Sequence, residues 1–337
     1  MKLSELGEFA LIDRIRAQVS PGDGVLRGIG DDAAQLAIPA GEQLLTSTDL
    51  LIESSHFDFT WTSPADLGHK AVAVNLSDIA AMGGTPRYLY LGLACPGSAE
   101  VEAIEAFMTG ALAQTEAHGV TLVGGDTCRS PGPWVVSVTI EGTVAEGCAI
   151  GRDGARPGDV VVVSGTLGDS AFALTQLLRG QQPSDSLARR HHRPEARVAL
   201  GQALAESCCV TAMIDLSDGL SSDLGHILKA SQVGGRLELA SLPLSEQFAA
   251  AVQADPTLLE LALSGGEDYE LLFTLAEEDL AGILALGRRL NLPLTPIGRI
   301  HAGESTLALR DAAGNERTCR KQGFDHFSST MAEVSDD

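Results

Sequence analysis

The sequence predicts an α/β protein of the α+β type, built from two domains. Three observations predict it. Strand-like and helix-like segments alternate along most of the chain, glycine and proline cluster near 145–158, and short acidic segments set among glycine and serine recur on both sides of that break. At 337 residues the chain divides into two units of ordinary size, about 150 residues each.

A helix with apolar positions Leu3, Leu6, Phe9, Ile12 and Ile15 opens the chain and leads into a glycine-rich stretch. Leu44 to Thr48 reads as a strand ending at Asp49. Ser63-Pro64 is a cap followed by proline in the first turn of a helix that runs to about Met82 and stops at Gly83-Gly84. Tyr88–Cys95 is a strand, Val101–His118 a helix stopped by Gly119, Val120–Val123 a short buried strand, and Trp134–Val144 a long alternating one. After the break come strands at 159–163, 211–214, 236–239, 269–274, 294–300 and 306–310. Helices are expected at 169–179, 194–206, 218–231, 245–263 and 277–290. The segment 181–194, with Arg189, Arg190, His191, His192 and Arg193, reads as a basic surface loop or lid. The expected units are 1–145 and 150–328, followed by a disordered acidic tail at 329–337.

Hydrophobic residues at 44% and charged residues at 20% describe a globular protein, and 4% aromatics leave the core to Ala, Leu, Val and Ile. A net charge of −22 argues against nucleic acid as a partner, because phosphate backbones need Lys/Arg surfaces. An anionic substrate would have to be met by metal ions or by a few placed cations, although solubility alone also explains an acidic chain. The six cysteines show no C-x-x-C spacing and read as reduced thiols. With no continuous apolar leader and no run long enough to cross a membrane, the expected compartment is the cytoplasm.

Six acidic segments carry the chemistry: Gly28-Ile29-Gly30-Asp31-Asp32, Ser47-Thr48-Asp49, Asn75-Leu76-Ser77-Asp78, Gly124-Gly125-Asp126, Asp215-Leu216-Ser217-Asp218 and Gly265-Gly266-Glu267-Asp268. Any one of them reads equally as a solvated turn or a helix cap, Asp218 included. Asp78 is the exception. It sits in an apolar helix among Ala71, Val72, Ala73, Val74, Leu76, Ile79, Ala80 and Ala81, and a buried carboxylate needs a metal, a cation or hydrogen bonds. Two carboxylates 4 Å apart repel by about 4 kcal/mol at an effective dielectric of 20, so five or six gathered together require cations. Dispersed surface turns remain the alternative. Asn75–Asp78 echoes Asp215–Asp218, and Val123–Asp126 echoes Ser264–Glu267, as two related domains would. Neither a P-loop nor a protein-kinase glycine loop occurs.

In these motifs, together with Lys70-Ala71-Val72-Ala73-Val74 and Gly219-Leu220, the sequence resembles the thiamine-monophosphate kinase family. That family belongs to a superfamily with aminoimidazole ribonucleotide synthetase, selenophosphate synthetase and HypE. The resemblance implies an aminoimidazole ribonucleotide synthetase-like fold with N-terminal domains paired across a homodimer. It implies phosphoryl transfer from ATP to thiamine phosphate, with several Mg²⁺ ions and K⁺ as a further cation. By position it implies metal ligands at Asp32, Ser47, Thr48, Asp49, Asp78, Asp126, Asp215 and Asp218, with Asp32, Asp49, Asp78, Asp126 and Asp218 catalytic. Gly125, Asp126, Arg152 and Ser217 would contact ATP, and His56, Glu267 and Phe324 would contact thiamine phosphate. The chain lacks the cysteines that HypE carries at its C-terminus and selenophosphate synthetase near its N-terminus: Cys319 is not terminal, and none precedes Cys95.

Overall fold

The computed structural model describes residues 1–6, 8–20, 22–29 and 33–319. Gly30, Asp31, Asp32, Phe324 and the 329–337 tail lie outside the described residues. The first half comprises α1 (Leu3–Leu6), α2 (Glu8–Arg16), β1 (Val25–Arg27), β2 (Gln35–Leu36), β3 (Glu42–Ile52), α3 (Pro64–Ala81), β4 (Thr85–Cys95), α4 (Val101–Ala117), β5 (Thr121–Arg129) and β6 (Val135–Ala145). The second comprises β7 (Val160–Ser164), α5 (Asp169–Leu178), α6 (Asp185–His192), α7 (Val198–Ser207), β8 (Val210–Asp215), α8 (Leu220–Ser231) and β9 (Gly234–Glu238). It continues through α9 (Glu246–Ala254), α10 (Glu260–Ser264), β10 (Leu271–Leu275), α11 (Leu280–Arg289), β11 (Leu294–His301), β12 (Leu307–Arg310) and β13 (Glu316–Thr318).

Two larger sheets organise these elements. The order β3-β6-β4-β5 forms one, with only β4–β5 parallel; β13-β12-β9-β11-β7-β10-β8 forms the other, parallel only at β12–β9. Helix α3 stands between them. Ser63 caps it, its Oγ accepting from the Asp66 N–H at 3.1 Å, and thirteen of its eighteen residues are buried. Burial on all sides explains the scarcity of charge: the four-stranded sheet and α4 cover some faces, and α7 and β8 of the second half cover the rest. One apolar core therefore runs through both halves, joining Leu76 and Ile79 to Val160, Val162, Met213 and Phe273. Val161 and Val163, pointing the other way from β7, enter a second core on the far face of the large sheet.

Glycine allows α3 and α4 to touch. A Cβ on Gly110 would lie 1.9 Å from the Ala65 carbonyl oxygen, and one on Gly68 would lie 2.0 Å from that of Phe107. Gly110→Ala is accordingly expected to destabilise the protein by about 2 kcal/mol or more, read from urea unfolding midpoints.

Several sequence expectations need correction. The strand expected at 44–48 runs from Glu42 to Ile52, so Asp49 lies in its interior and not at its end. The strand expected to stop at Val123 continues to Arg129 as an edge strand paired with β4, carrying Gly124-Gly125-Asp126 within it. Gly125, at φ +153°, lets that strand lie against β4, since a Cβ there would meet the Leu91 oxygen at 1.9 Å. The basic segment 181–194 contains a helix, α6, capped by Ser184. The single helix expected at 245–263 is broken at Pro256 into α9, a 3-10 turn and α10.

Candidate active site

The long strand β3 and the buried helix α3 face each other, and strand alternation decides which β3 side chains take part. Register places Asp49 opposite Val138 of β6, Val138 opposite Leu91 of β4, and Leu91 opposite Gly125 of β5; these four share the face covered by α3. Ser47 is on the same face. Its Oγ donates to Asp78 Oδ2 at 2.5 Å. Thr48 points to the opposite face, where its Oγ1 lies 2.8 Å from Thr139 Oγ1.

One residue before Asp78, Ser77 Oγ donates at 2.7 Å to Asp215 Oδ2 at the end of β8. The two halves of the chain thus meet through a pair of serine–aspartate hydrogen bonds on neighbouring positions of α3. Burial, then the charge of Asp78, pushes Asp49 up to about 6. Burial also raises Asp78, against the Ser47 hydrogen bond and the charge of Arg152. Asp215, fully enclosed, is pushed up to about 7 by burial and by Asp78, with Ser77 and Arg152 opposing and Asp49 adding to the rise. Three carboxylates with one modest cation beside them repel one another, and a further cation would relieve that repulsion. Their oxygen-only donors suit Mg²⁺.

The segment after β8 carries a second group. The helix expected to start at Asp218 begins instead at Leu220, with Gly219 at the cap position. Asp223, inside α8, reaches back so that its Oδ2 accepts from the Asp218 and Gly219 N–H groups at 3.2 and 3.1 Å. Burial, then Asp218 and Asp215, pushes Asp223 up to about 8. Asp218, Asp223 and His226 each bring one ligand-type atom within 4.8 Å of the others.

The 264–270 segment packs directly on this loop. Glu267 N–H donates to Ser217 O at 2.8 Å, Tyr269 N–H to Leu216 O at 2.9 Å, and Leu216 N–H to Glu270 O at 2.9 Å. A Cβ on Gly266 would lie 2.4 Å from the Ser217 oxygen, so only glycine allows this approach. Glu267 and Tyr269 both adopt left-handed backbone conformations, φ +69° and +50°, which non-glycine residues rarely do. Tyr269 is buried, and burial followed by the charges of Glu267, Asp215, Asp49 and Asp78 raises its phenol well above its usual value.

The structure therefore brings together Ser47, Asp49, Asp78, Arg152 and Asp215, with Ser217, Asp218 and Glu267 on loops continuous with them. His56 stands in the turn after β3, its Nδ1 accepting from the Ile52 N–H at 3.1 Å. Asp126 is set apart. It is opposite Gly92, on the face away from α3, and three strands from β3, about 14 Å at ordinary strand spacing. The sequence motifs contain Lys70, Ser77, Tyr269 and Glu270 without assigning them a role, and Asp223 falls outside them. Lys70 carried the same signal as Asp78, a lone charge in an apolar helix.

The chain matches the AIR synthase related protein family models, the N-terminal domain over residues 30–144 and the C-terminal domain over 156–309. It is 44% identical to the thiamine-monophosphate kinase of Haemophilus influenzae, covering 96% of this chain and 99% of that one. The chain belongs to the thiamine-monophosphate kinase family. The family's Bacillus subtilis member is 35% identical over 96% of this chain and all of its own. Among solved structures, the Stenotrophomonas maltophilia thiamine-monophosphate kinase superposes with a TM-score of 0.82 at 42% identity, covering 91% of this chain and 97% of that one. The structure of AaThiL complexed with AMPPCP and TMP gives 0.74 at 34% identity, covering 97% and 99%. HypE, at 21% identity and a TM-score of 0.79, shares the fold.

Proposed function

We propose that this thiamine-monophosphate kinase family member passes the γ-phosphoryl group of ATP directly to the phosphate of thiamine phosphate, in the cytoplasm, giving thiamine diphosphate and ADP. The observation that carries the reading is the meeting of Asp49, Asp78 and Asp215 from β3, α3 and β8, with two of them raised to about 6 and 7. Such a group discourages a bare anion and suits a nucleotide polyphosphate that arrives with divalent cations. A relative 34% identical has been solved with AMPPCP and TMP together, a nucleotide analogue beside the acceptor.

Asp32, Ser47, Asp49, Asp78, Asp126, Asp215 and Asp218 would hold the Mg²⁺ ions, and Thr48 would join them through its carbonyl, because its hydroxyl faces the other side of the sheet. Bound Mg²⁺ supplies neutralisation of the polyphosphate and of charge on the transferring group. Gly125, Arg152 and Ser217 contact ATP; His56, Glu267 and Phe324 orient the acceptor. An acceptor oxygen forms the new bond to the γ-phosphorus while the bond to the ADP oxygen breaks. A phosphate monoester is largely ionised near neutral pH, its second pKa being about 6, so no strong base is required. The units 1–145 and 150–328 divide the work, the first contributing β3 and α3 and the second the 215–218 and 264–270 loops.

The exposed outer face of the four-stranded sheet favours a homodimer. Thr46 and Thr48 are exposed on the outer face of the four-stranded sheet, as are Leu44 (43%) and Leu50 (54%). Pairing of two such faces would cover them together with Asp126, which lies on the same face. Replacing K⁺ by Na⁺ in the assay reads the dependence on the further cation.

ATP made chiral at the γ-phosphorus with oxygen isotopes tests the reaction. Direct transfer predicts thiamine diphosphate with inverted configuration at the transferred phosphorus; retention would require a phosphoenzyme and overturn the mechanism.

A further inference from the structure

Lys70 is 2% exposed, on a helix whose other buried residues are nearly all apolar. Taking an ammonium out of water is costly unless a partner compensates it. The partner is Glu267, whose Oε1 lies 2.6 Å from Lys70 Nζ. The other oxygen, Oε2, lies 3.3 Å from Nδ1 of His191 on α6, and that nitrogen is 3.0 Å from Ser170 Oγ. Burial, then the charges of Lys70 and His192, holds His191 well below its usual value, so it is neutral. Its Nδ1 stands between Glu267 Oε2 and Ser170 Oγ. Each carboxylate oxygen of Glu267 thus has a fixed neighbour, while the side chain keeps 26% of its surface open.

From this geometry we infer that Lys70 is a positioning residue for the phosphoryl acceptor, holding Glu267 as a directed hydrogen-bond acceptor with its charge cancelled. The inference rests on the reading that Glu267 contacts thiamine phosphate. Lys70 lies eight residues before Asp78, about 12 Å along the same helix. One rigid element therefore carries both a metal-side carboxylate and the anchor of the acceptor-side carboxylate, and fixes their separation. The neighbouring segment is secured to the same helix: Arg193 pairs with Asp66, and His69 Nε2 lies 3.1 Å from the Pro194 oxygen. The left-handed backbone at Glu267 gives that side chain a direction no ordinary strand end would.

The test compares Lys70→Met, Lys70→Arg, Glu267→Gln and the double variant Lys70→Met/Glu267→Gln in the full chain. Each substrate is varied in turn, and thermal melting reports folding. Lys70→Met should raise the KM for thiamine phosphate about tenfold or more and move the KM for ATP less than about twofold. Lys70→Arg should restore the acceptor KM to within about threefold of the parent, and the double variant should be no worse than Glu267→Gln. A folded Lys70→Met enzyme with an unchanged acceptor KM, or with both KM values raised together, would overturn the inference while Glu267→Gln still raised the acceptor KM. An unaltered acceptor KM in Glu267→Gln would remove the reading of Glu267 and the inference with it. If Lys70→Met does not fold, His191→Phe releases the other oxygen: a selective rise in acceptor KM supports the clamp, and none overturns it.

Discussion

Asp78→Asn is expected to lower kcat by about a hundredfold to a thousandfold while the protein folds normally and, without Mg²⁺, melts no lower than the parent. Two effects act in opposite directions. Loss of the carboxylate removes one of the oxygens that would hold the cations beside ATP. It also removes a charge that raises both Asp49 and Asp215, so the metal-free fold is relieved of repulsion. Ser47 Oγ keeps an acceptor in the Asn side-chain oxygen, so no buried hydroxyl is stranded. Steady-state kinetics and calorimetry on the same preparation read both effects. Near-parental activity would make Asp78 structural, and a large fall in melting temperature would show that its charge supports the fold.

Glu270→Gln should have the largest effect on stability. Glu270 is wholly buried, and its carboxylate receives Arg197 Nε at 2.7 Å, Arg197 Nη2 at 2.5 Å, Arg190 Nη2 at 2.9 Å and Ser164 Oγ at 2.5 Å. Neutralising it removes the buried counter-charge that two guanidinium groups share, a loss of about 3 kcal/mol, or roughly 4 °C in melting temperature at about 2.1 cal/mol/K of unfolding entropy per residue. The pH dependence has a defined sign. Burial alone would raise the carboxyl, but hydrogen bonding and charge from Arg197, then the charge of Arg190 and the Ser164 hydrogen bond, hold it below its usual 4.5. A depressed carboxyl contributes stability that is present above its unfolded pKa and lost as pH falls through its folded one. The gap in melting temperature between parent and Glu270→Gln should therefore be full near neutrality and narrow only below about pH 4.5. A gap independent of pH down to pH 3 would contradict this origin.

The burial of α3 was legible from sequence because a helix with that little charge has to be covered on most faces, and Asp78 is half-buried on it. The recurrence of acidic segments anticipated that 47–49, 75–78, 215–218 and 264–268 meet. Two kinds of information were missing. The first was strand extent: once β3 is known to run from Glu42 to Ile52, alternation alone puts Ser47 and Asp49 on one face and Thr48 on the other. Similarly, pairing with β4 carries β5 through Gly125, which places Asp126 on the face away from α3. The second was tertiary partnership. Nothing near Lys70 or Glu270 in sequence announces Glu267, Arg190 or Arg197, because those contacts join residues 73 to 197 positions apart. The basic composition of 181–194 concealed α6, although Ser184 followed by Asp185 is an ordinary helix start.

The most direct measurement mixes the purified protein with ATP, Mg²⁺ and thiamine phosphate and quantifies both products. The account predicts ADP and thiamine diphosphate in equal amounts, with neither formed when Mg²⁺ or thiamine phosphate is left out. ADP released with free phosphate, and no thiamine diphosphate, would contradict it.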